Sequence, residues 1–412
     1  MTERLTETAP ATAAPSRRVW LIVAVLFLCT MLVQGMALGG IVLFDDRVLG
    51  ALGASRSAFK FRDLVYMLAT SFSCLMMAWL TEKIGVRAVV TLGLVALSAV
   101  LMGYSAVTSL GQLYALQGLL GFAYACVHVV VLMIVLSRWF AVDDPRRGIA
   151  VGICVAGASC GAVLMAQVAS ALIAQMPWRQ VFPILAALPF AVVPFVWLVI
   201  RTPEDGSSGD WLISREGTFG FSFRLFWRRS TAILMAALVP VFYVSACMAA
   251  HAVLMLRDKG LCTGVAAGAV SLIFSLGLVG KFGSGFLLLR LSLERAWLLM
   301  MGCMLAGSLL LAVFPEQAYM PGLALVGLGW GGCFPLAQLK IGAVYRGPAL
   351  AQVLGLFVVF ESFGSAAGAW LTALMYDAFG GYGVPFTLNC LLLAGGIVAS
   401  IAEERMRVRQ RG

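Results

Sequence analysis

A single lysine lies inside a long uncharged stretch of the chain. Lys281 is the only charged residue between Val265 and Leu289, among apolar and small residues. About 20 apolar residues cross the hydrocarbon core of a bilayer, and a charge at that depth is costly and usually functional. Lys281 precedes Arg290 by nine residues, about 13 Å of helix, which is too deep for its side chain to reach the interface. We therefore expect Lys281 to face a central cavity, where an unpaired cation selects a carboxylate.

Glu361 is the second charge at membrane depth. It lies near the middle of the apolar run VLGLFVVFESFGSAAGAWL, with Ser362 and Ser365 beside it. A carboxylate in such a run is costly unless it is protonated or paired. Glu361 is therefore expected to be either a proton carrier or the counter-charge of Lys281. In the second case Lys281 belongs to a structural ion pair instead of an anion site.

Other polar side chains in apolar segments are candidates for the same cavity. His128 and His251 either form hydrogen bonds between helices or titrate near neutral pH, and we assign His128 to proton coupling and His251 to the substrate pocket. The remaining expected pocket residues are Gln34, Tyr66 and Tyr243, with Gln338 as a further candidate.

The segment FKFRDLVYMLAT begins the second apolar span with Lys60, Arg62 and Asp63. One interpretation is that Arg62 and Asp63 satisfy each other or lipid headgroups at the interface. The other is that Arg62 and Asp63 form an outer gate, which contacts the substrate together with Tyr66. The sequence leaves both open.

The sequence contains no motif for metal binding, disulfide pairing, phosphate binding or nucleophilic catalysis. Two histidines without acidic or thiol partners at ligand spacing do not predict a metal site. The ten cysteines are scattered without a C-x-x-C pair, which argues against a disulfide framework. Neither a phosphate-binding glycine loop nor a Ser/His/Asp grouping is present, so we expect no cofactor and no enzymatic activity.

The composition of the chain indicates which kind of secondary structure positions these residues. The 412-residue chain is 61% hydrophobic and only 12% charged, which predicts an all-α protein that crosses a membrane many times. The continuous apolar runs are not the alternating strands of a β-barrel. We predict twelve spans, at about 19–41, 61–80, 88–107, 111–136, 148–173, 180–200, 231–255, 265–289, 296–314, 320–340, 349–375 and 384–402.

The net charge of +10 follows membrane topology. With a cytoplasmic N-terminus, the cytoplasmic segments hold 21 of the 29 Lys and Arg residues and the opposite face holds seven. Basic residues concentrate on the cytoplasmic side of membrane proteins. The charge therefore indicates a protein of the cell inner (cytoplasmic) membrane with both termini cytoplasmic, in contact with lipid and not with nucleic acid.

The spans divide into two similar halves. Between residues 201 and 230 lies the only long polar interval, which predicts a cytoplasmic linker. It separates six-helix bundles at 19–200 and 231–403, flanked by a disordered tail (1–18) and a basic tail (404–412). Gly152/Gly355, Ser159/Ser362 and Gly161/Gly364 share an offset of 203. Such internal duplication is typical of secondary transporters.

The loop after the second span resembles the signature of the major facilitator superfamily, G-x-L-a-D-R-x-G-R-R. Its matching residues are Ala78, Leu80, Glu82, Lys83, Gly85 and Arg87. A second copy keeps Gly285, Leu287 and Arg290, with Leu289 where the acid would be. The resemblance implies two six-helix bundles that alternate access. It also implies a cytoplasmic latch, formed by Glu82, Lys83, Arg87, Arg146, Arg147 and Arg290.

A narrower resemblance lies at the start of the fifth span. An aromatic pair, two arginines and spaced glycines are similar to monocarboxylate and oxalate/formate transporters, at Trp139, Phe140, Arg146, Arg147, Gly148, Ala150, Gly152, Gly157 and Gly161. In those families a basic residue of span 8 holds the substrate carboxylate, and Lys281 matches it. A generic tight-packing interface is the alternative interpretation.

The chain also departs from these relatives. Glu361 stands in the span where oxalate transporters carry a lysine, which puts the binding of a dicarboxylate in doubt. Gly277 stands one turn before Lys281, where the animal monocarboxylate branch has an aspartate, and the lysine of span 1 is missing. The proton-coupling scheme of that branch therefore cannot be transferred directly.

We predict a monomeric secondary transporter of a small organic anion, with a monocarboxylate as the favoured substrate and protons as a candidate coupling ion. Within transporters, the alternative is efflux of a larger amphiphile such as a drug or siderophore, with Lys281 and Glu361 as a closed internal pair. The alternative from another class is a membrane receptor or sensor that does not transport.

Overall fold

The computed structural model describes residues 17–137, 139–140, 145–200, 229–314, 318–344 and 348–409. Within these ranges the chain is helical and contains no strand. Nine of the described helical segments are long and apolar enough to cross a membrane. The three other predicted spans fall on further helices, so the described fold is consistent with twelve spans. The predicted linker lies mostly outside the described residues.

The first half contains eight α-helices in its described residues. They are α1 (Arg17–Gly35), α2 (Asp45–Leu52), α3 (Arg56–Ile84), α4 (Val86–Ser105), α5 (Leu110–Ala125), α6 (Val129–Ser137), α7 (Pro145–Ile173) and α8 (Trp178–Val199). The predicted first span, 19–41, includes α1 and a π-helical turn (Met36–Gly40). The chain then continues through a 3₁₀ turn (Ile41–Phe44) into α2. The predicted fourth span, 111–136, is not one helix, because α5 ends before residue 126 and α6 begins at Val129.

The described part of the second half contains six helices without such interruptions. They are α9 (Arg229–Asp258), α10 (Thr263–Leu287), α11 (Leu293–Val313), α12 (Tyr319–Val344), α13 (Pro348–Phe379) and α14 (Gly383–Arg409). Pro240 and Pro335 lie inside α9 and α12. Most helices are longer than the predicted spans, and some of them begin at a capping residue outside the apolar core. For example, Ser55 accepts a hydrogen bond from the Ala58 N–H and starts α3 five residues before its predicted span.

One pair of repeated glycines, Gly161 and Gly364, has the same role in both halves. Gly161 brings α7 onto α1, and a methyl group on Gly161 would overlap the Met31 carbonyl oxygen. Its counterpart Gly364 brings α13 onto α9, where a methyl group would lie 3.1 Å from Val239. Small residues allow such close backbone approach in membranes. The offset of 203 residues therefore marks equivalent helix contacts.

The two halves meet along α3 against α13 and along α7 against α10. Because the helices alternate in direction, each end of the bundle collects residues that are distant in sequence. We call one end the Arg56 end; it contains the start of α3 and the ends of α9 and α13. The opposite end, where α10 finishes and α11 begins, is called the Arg290 end.

Candidate functional site

A cavity of about 740 Å³ lies between the two halves. Its wall is largely apolar, with contributions from α1, α3, α5, α7, α9, α10, α12 and α13. Volumes of roughly 300–1,000 Å³ are typical of small-molecule sites. Most of the residues predicted for the cavity and its outer gate lie on this wall: Gln34, Arg62, Asp63, Tyr66, His128, Lys281, Gln338 and Glu361.

Lys281 reaches the cavity from α10. Its Nζ donates a hydrogen bond to Ser159 Oγ of the other half at 3.0 Å. The ammonium also lies 5.4 Å from the centre of the Trp330 ring and 5.5 Å from that of Phe334, within cation–π distance. The ion pairs of the described residues do not include Lys281. It is therefore a cation held by neutral groups at the interface of the halves.

Close packing of α10 on α12 places Lys281 there. A methyl group on Gly280 would overlap the Leu328 carbonyl oxygen, and one on Gly331 would overlap that of Gly277. Gly283 and Gly285 have open space around them. Gly277 and Gly280, just before Lys281, therefore serve helix contact, whereas Gly283 and Gly285 after it do not.

Glu361 lies on the cavity wall from the middle of α13. It is within electrostatic range of Lys281 and of the Tyr124 hydroxyl of the first half. No described ion pair joins Glu361 to Lys281 in this conformation. The two charges are thus near each other without a direct ion pair in the part of the chain that the structure describes.

His128 lies at the break between α5 and α6. Its Nδ1 is buried without a hydrogen-bond partner among the described residues, and its ring is 5.6 Å from that of Tyr124. Gln34 donates from Nε2 to the Val127 carbonyl oxygen at 3.1 Å, across from α1. Gln34 therefore satisfies a backbone group that the break exposes. The sequence did not indicate this break.

His251 and Tyr243 lie behind the cavity wall and do not line it. His251 Nε2 is 2.8 Å from the Ala369 carbonyl oxygen and Nδ1 is 3.2 Å from the Tyr382 hydroxyl. Because a carbonyl oxygen only accepts, Nε2 carries a proton. The ring joins α9 to α13 and to the residue that precedes α14. This is the interhelical hydrogen bonding considered from the sequence.

Arg62 and Asp63 belong to a larger buried network. Arg62 Nε donates to Asp63 Oδ1 at 3.2 Å, and Arg62 Nη2 donates to Asp45 Oδ1. Lys60 Nζ binds Asp45 Oδ2 at 2.6 Å and Asp63 Oδ2 at 3.2 Å. Asp45, at the start of α2, is fully buried and was not singled out in the sequence. The signal that could have identified Asp45 in the sequence was its position directly after an apolar run.

A set of contacts joins the halves at the Arg56 end. The backbone N–H groups of Arg56 and Ser57 donate to Asp377 of α13 at 3.2 and 2.7 Å. The Arg56 guanidinium pairs with Asp258 and donates to the Tyr382 hydroxyl, the latter at 2.7 Å. It lies 3.9 Å from the centre of the Tyr376 ring. The carboxylate of one half thus caps the first helix turn of the other.

The predicted latch residues lie at the Arg290 end. Arg87 donates from Nε to the Ile200 carbonyl oxygen, and Lys83 Nζ is 4.6 Å from the centre of the Trp79 ring. Glu82 and Arg290 are exposed.

The other two latch arginines follow the start of α7. Arg146 is the second residue of that helix, and the side chain of Arg147 lies outside the described residues. The described ion pairs do not join Glu82 to Lys83 or to Arg290. The latch role therefore stays a prediction.

A second buried ionic cluster lies at the Arg290 end of the second half. Lys340 Nζ is 2.5 Å from Glu294 Oε1 and 3.4 Å from Glu403 Oε2. It also donates to Ser400 Oγ at 3.1 Å. The cluster joins α11, α12 and α14. Sequence reasoning missed it because each residue stands at the edge of an apolar span, where charges are common.

Comparisons with known proteins agree with this architecture. The family model described as Major Facilitator Superfamily matches residues 19–360. An uncharacterised MFS-type transporter YcxA of Bacillus subtilis (strain 168) is 22% identical over 84% of this chain and 85% of its own. Monocarboxylate transporter 13 of Rattus norvegicus is 28% identical over 77% of this chain and 73% of its own.

Solved structures share the fold at lower identity. A mutant form of the nucleoside transporter NupG superposes with a TM-score of 0.72 at 14% identity, over 94% of this chain and 99% of that chain. A bacterial homologue of the human lysosomal transporter Spinster, in an inward-facing and unoccupied conformation, has a TM-score of 0.68 at 16% identity, over 95% of this chain and 94% of that chain. The chain is therefore a multi-pass membrane transporter that belongs to the major facilitator superfamily.

Proposed function

We propose that this transporter carries a small organic anion, in particular a monocarboxylate, bound at Lys281 between the two halves. The observation that supports this is the position of Lys281 Nζ, in the cavity and held by Ser159 and two aromatic rings. A cation at this depth is costly unless its charge is compensated. A carboxylate that enters the cavity supplies the compensating charge.

The position of Lys281 also suggests how binding is coupled to movement. Lys281 belongs to the second half and its hydrogen-bond partner Ser159 to the first. A carboxylate on the ammonium competes for this hydrogen bond and changes the contact between α7 and α10. Differential contacts of this kind are what a ligand needs to shift a conformational equilibrium.

Protons are the proposed coupling ion, with Glu361 as the carrier. Glu361 faces the same cavity as Lys281 and lies within electrostatic range of it. An anion bound at Lys281 makes a negative charge on Glu361 more costly. Substrate binding therefore favours uptake of a proton by Glu361, which is the coupling that symport requires.

The cavity size supports a second candidate substrate class. A volume of about 740 Å³ with a largely apolar wall accommodates a body larger than a short acid. This favours an amphiphile, as in the efflux alternative. In the present conformation the described ion pairs do not include the closed Lys281–Glu361 pair that this alternative assumed.

The proposed location is the inner membrane, with the Arg290 end and both termini cytoplasmic. The bias of Lys and Arg residues supports this orientation. An impermeant thiol reagent is expected to label a cysteine placed at Ser207 only from the cytoplasmic side. Ser207 lies in the linker, outside the described residues. Labelling of the cysteine at this position in intact cells would overturn the twelve-span map.

The decisive experiment measures uptake of labelled carboxylates into proteoliposomes. Lys281→Ala is expected to keep a folded, stable protein and to lose anion binding by roughly a hundredfold, the effect of a charged hydrogen bond. Lys281→Arg keeps the charge and retains part of the binding. Lys259→Ala, which removes an exposed lysine, is the control. Normal affinity of Lys281→Ala for carboxylates contradicts the proposal.

Coupling is tested in the same vesicles. If Glu361 carries the proton, Glu361→Gln abolishes accumulation driven by a pH gradient and leaves exchange of internal for external substrate, which needs no net proton movement. Equal loss of both activities assigns Glu361 a structural role.

A further inference from the structure

Two buried polar atoms of cavity-lining residues have no hydrogen-bond partner among the described residues. They are Nη1 of Arg62 and Oε1 of Gln117. Both side chains line the cavity, and the two residues are only 1% and 3% exposed. Buried polar atoms in proteins are almost always satisfied, so two such atoms at a cavity wall indicate a group that is bound there.

The other polar atoms of these side chains are already engaged. Arg62 donates from Nη2 to Asp45 and from Nε to Asp63. Gln117 donates from Nε2 to the Tyr104 hydroxyl at 2.9 Å, and Tyr104 lies within electrostatic range of Arg62. The cavity wall therefore offers one free donor, from Arg62, and one free acceptor, from Gln117. We call this part of the wall the Arg62–Gln117 corner.

The chemistry of the corner selects a hydroxyl group. A hydroxyl accepts from Arg62 and donates to Gln117, whereas a carbonyl only accepts and an ammonium only donates. The charges of Lys60 and Arg62 are matched by those of Asp45 and Asp63. A second carboxylate would find no uncompensated cation there and would lose its hydration. The corner thus differs from Lys281, which has no described ion pair.

The corner and Lys281 lie at different depths. Arg62 and Gln117 follow the first residues of α3 and α5 at the Arg56 end by six and seven positions, which is about 9–11 Å of helix. Lys281 follows the first residue of α10 at that end by eighteen positions, about 27 Å. The two polar sites are therefore separated by roughly 16–18 Å along the bundle.

Aromatic side chains also line the cavity, among them Tyr66, Phe242 and Phe274, and Trp330 lies at the Lys281 site itself. The wall between the two sites is thus mostly apolar, with a few hydroxyl groups such as those of Thr70 and Ser245. A separation of roughly 16–18 Å matches an extended chain of about 12–14 covalent bonds, at ~1.3 Å per bond.

Resting on the anion site proposed above, we infer that the ligand is an elongated monocarboxylate with a distal hydroxyl group. Its carboxylate binds Lys281, its apolar body lies along the aromatic wall, and its hydroxyl binds the Arg62–Gln117 corner. Such a ligand is both the organic anion of the first candidate function and the amphiphile of the second.

The test compares butyrate, dodecanoate and ω-hydroxydodecanoate for binding to the full chain in lipid nanodiscs. The wild-type protein is expected to bind the hydroxy acid roughly tenfold tighter than dodecanoate, about the effect of a satisfied buried hydroxyl. Gln117→Leu removes the acceptor and is expected to abolish this preference without changing butyrate binding. Gln117→Glu keeps the acceptor and retains the preference.

Controls separate binding from partition and folding. Partition into lipid differs between the two long acids but is the same for all variants, so the change in their affinity ratio isolates the corner. Gln112→Leu, at an exposed position of α5, is expected to leave the ratio unchanged. Thermal melting verifies that each variant is folded.

The outcomes distinguish this inference from the proposed function. Equal binding of both long acids, or a preference that survives Gln117→Leu, means that the corner holds only water, and overturns the inference. Binding of butyrate that still depends on Lys281 would then leave the anion site standing. Unchanged binding of all three acids to Lys281→Ala overturns the anion site itself.

Discussion

The two halves of this transporter have the same architecture and place their charges differently. The first half pairs its buried charges near the Arg56 end, in Lys60, Arg62, Asp45 and Asp63. The second half has its buried cluster, around Lys340, at the Arg290 end. It also contributes Lys281, a cavity cation without a described ion pair. Duplication therefore preserved helix packing, while the placement of charge diverged.

The helices that line the cavity also differ between the two halves, in how regular they are. In the first half, the first predicted span passes through π-helical and 3₁₀ turns at Met36–Gly40 and Ile41–Phe44, and the fourth span breaks around His128. Their counterparts α9 and α12 are continuous, although each contains a proline. Irregular turns in helices are frequent at functional sites. The first half thus contributes the irregular helices of the wall, and the second half contributes the continuous helices and the cation.

The largest expected effect concerns the paired charges of the first half. Asp45→Ala leaves Lys60 and Arg62 with less compensation in a fully buried site, which typically lowers the free energy of unfolding by ~3–5 kcal/mol. Lys281→Ala is expected to have no comparable effect. Thermal unfolding of both variants in detergent measures the difference.

A double variant tests whether the loss of stability comes from the unpaired charge. Asp45→Ala with Lys60→Ala removes one charge of each sign and is expected to recover part of the stability. If Asp45→Ala is as stable as the wild type, the ion pairs of Lys60 and Arg62 contribute little to stability. These two cations would then not differ from Lys281 in the way that their contacts indicate.

The repeated glycines provide a smaller effect that compares the halves directly. Gly161→Ala forces a methyl group against the Met31 carbonyl oxygen of the backbone, and is expected to cost about 1–3 kcal/mol by overpacking. Gly364→Ala meets first a side-chain carbon of Val239, at 3.1 Å. Because a side chain moves more easily than backbone, the cost in the second half is expected to be lower.

Folded yield and melting temperature measure both substitutions. Gly152→Ala has open space around it and is the control. Equal losses for Gly161→Ala and Gly364→Ala would show that the two contacts are equivalent in strength as well as in position.

The smallest expected effect concerns the contacts that join the halves at the Arg56 end. Arg56→Ala removes the interactions with Asp258, Tyr376 and Tyr382. Because Asp258 is partly exposed, we expect about 1 kcal/mol, or roughly a fivefold shift toward opening at that end. Accessibility of a cysteine placed at Ser71, on the cavity wall, measures it from the Arg56 side. An unchanged labelling rate, with Lys259→Ala as control, would mean that these contacts do not hold the end closed.

The sequence by itself determined the membrane class, the two halves and the position of the cavity cation. Apolar runs of span length have few alternatives in a bilayer, since every backbone polar group must be satisfied within the helix. A lysine in the middle of such a run has few places to face except a cavity. The repeated glycines were visible because close helix contact tolerates only small side chains at that position.

Only the tertiary structure decided which charges are paired. Asp377 caps α3 across 321 residues of sequence, and Arg56 reaches Asp258 across 202. No local pattern encodes such partners, because they depend on which helix ends meet in space. The unpartnered atoms of Arg62 and Gln117 are likewise defined by the described residues that surround them. The importance of Lys281 was predictable because the energetic cost of its charge depends only on its depth along one helix. The Arg62–Gln117 corner was not predictable, because it is formed by residues of several helices.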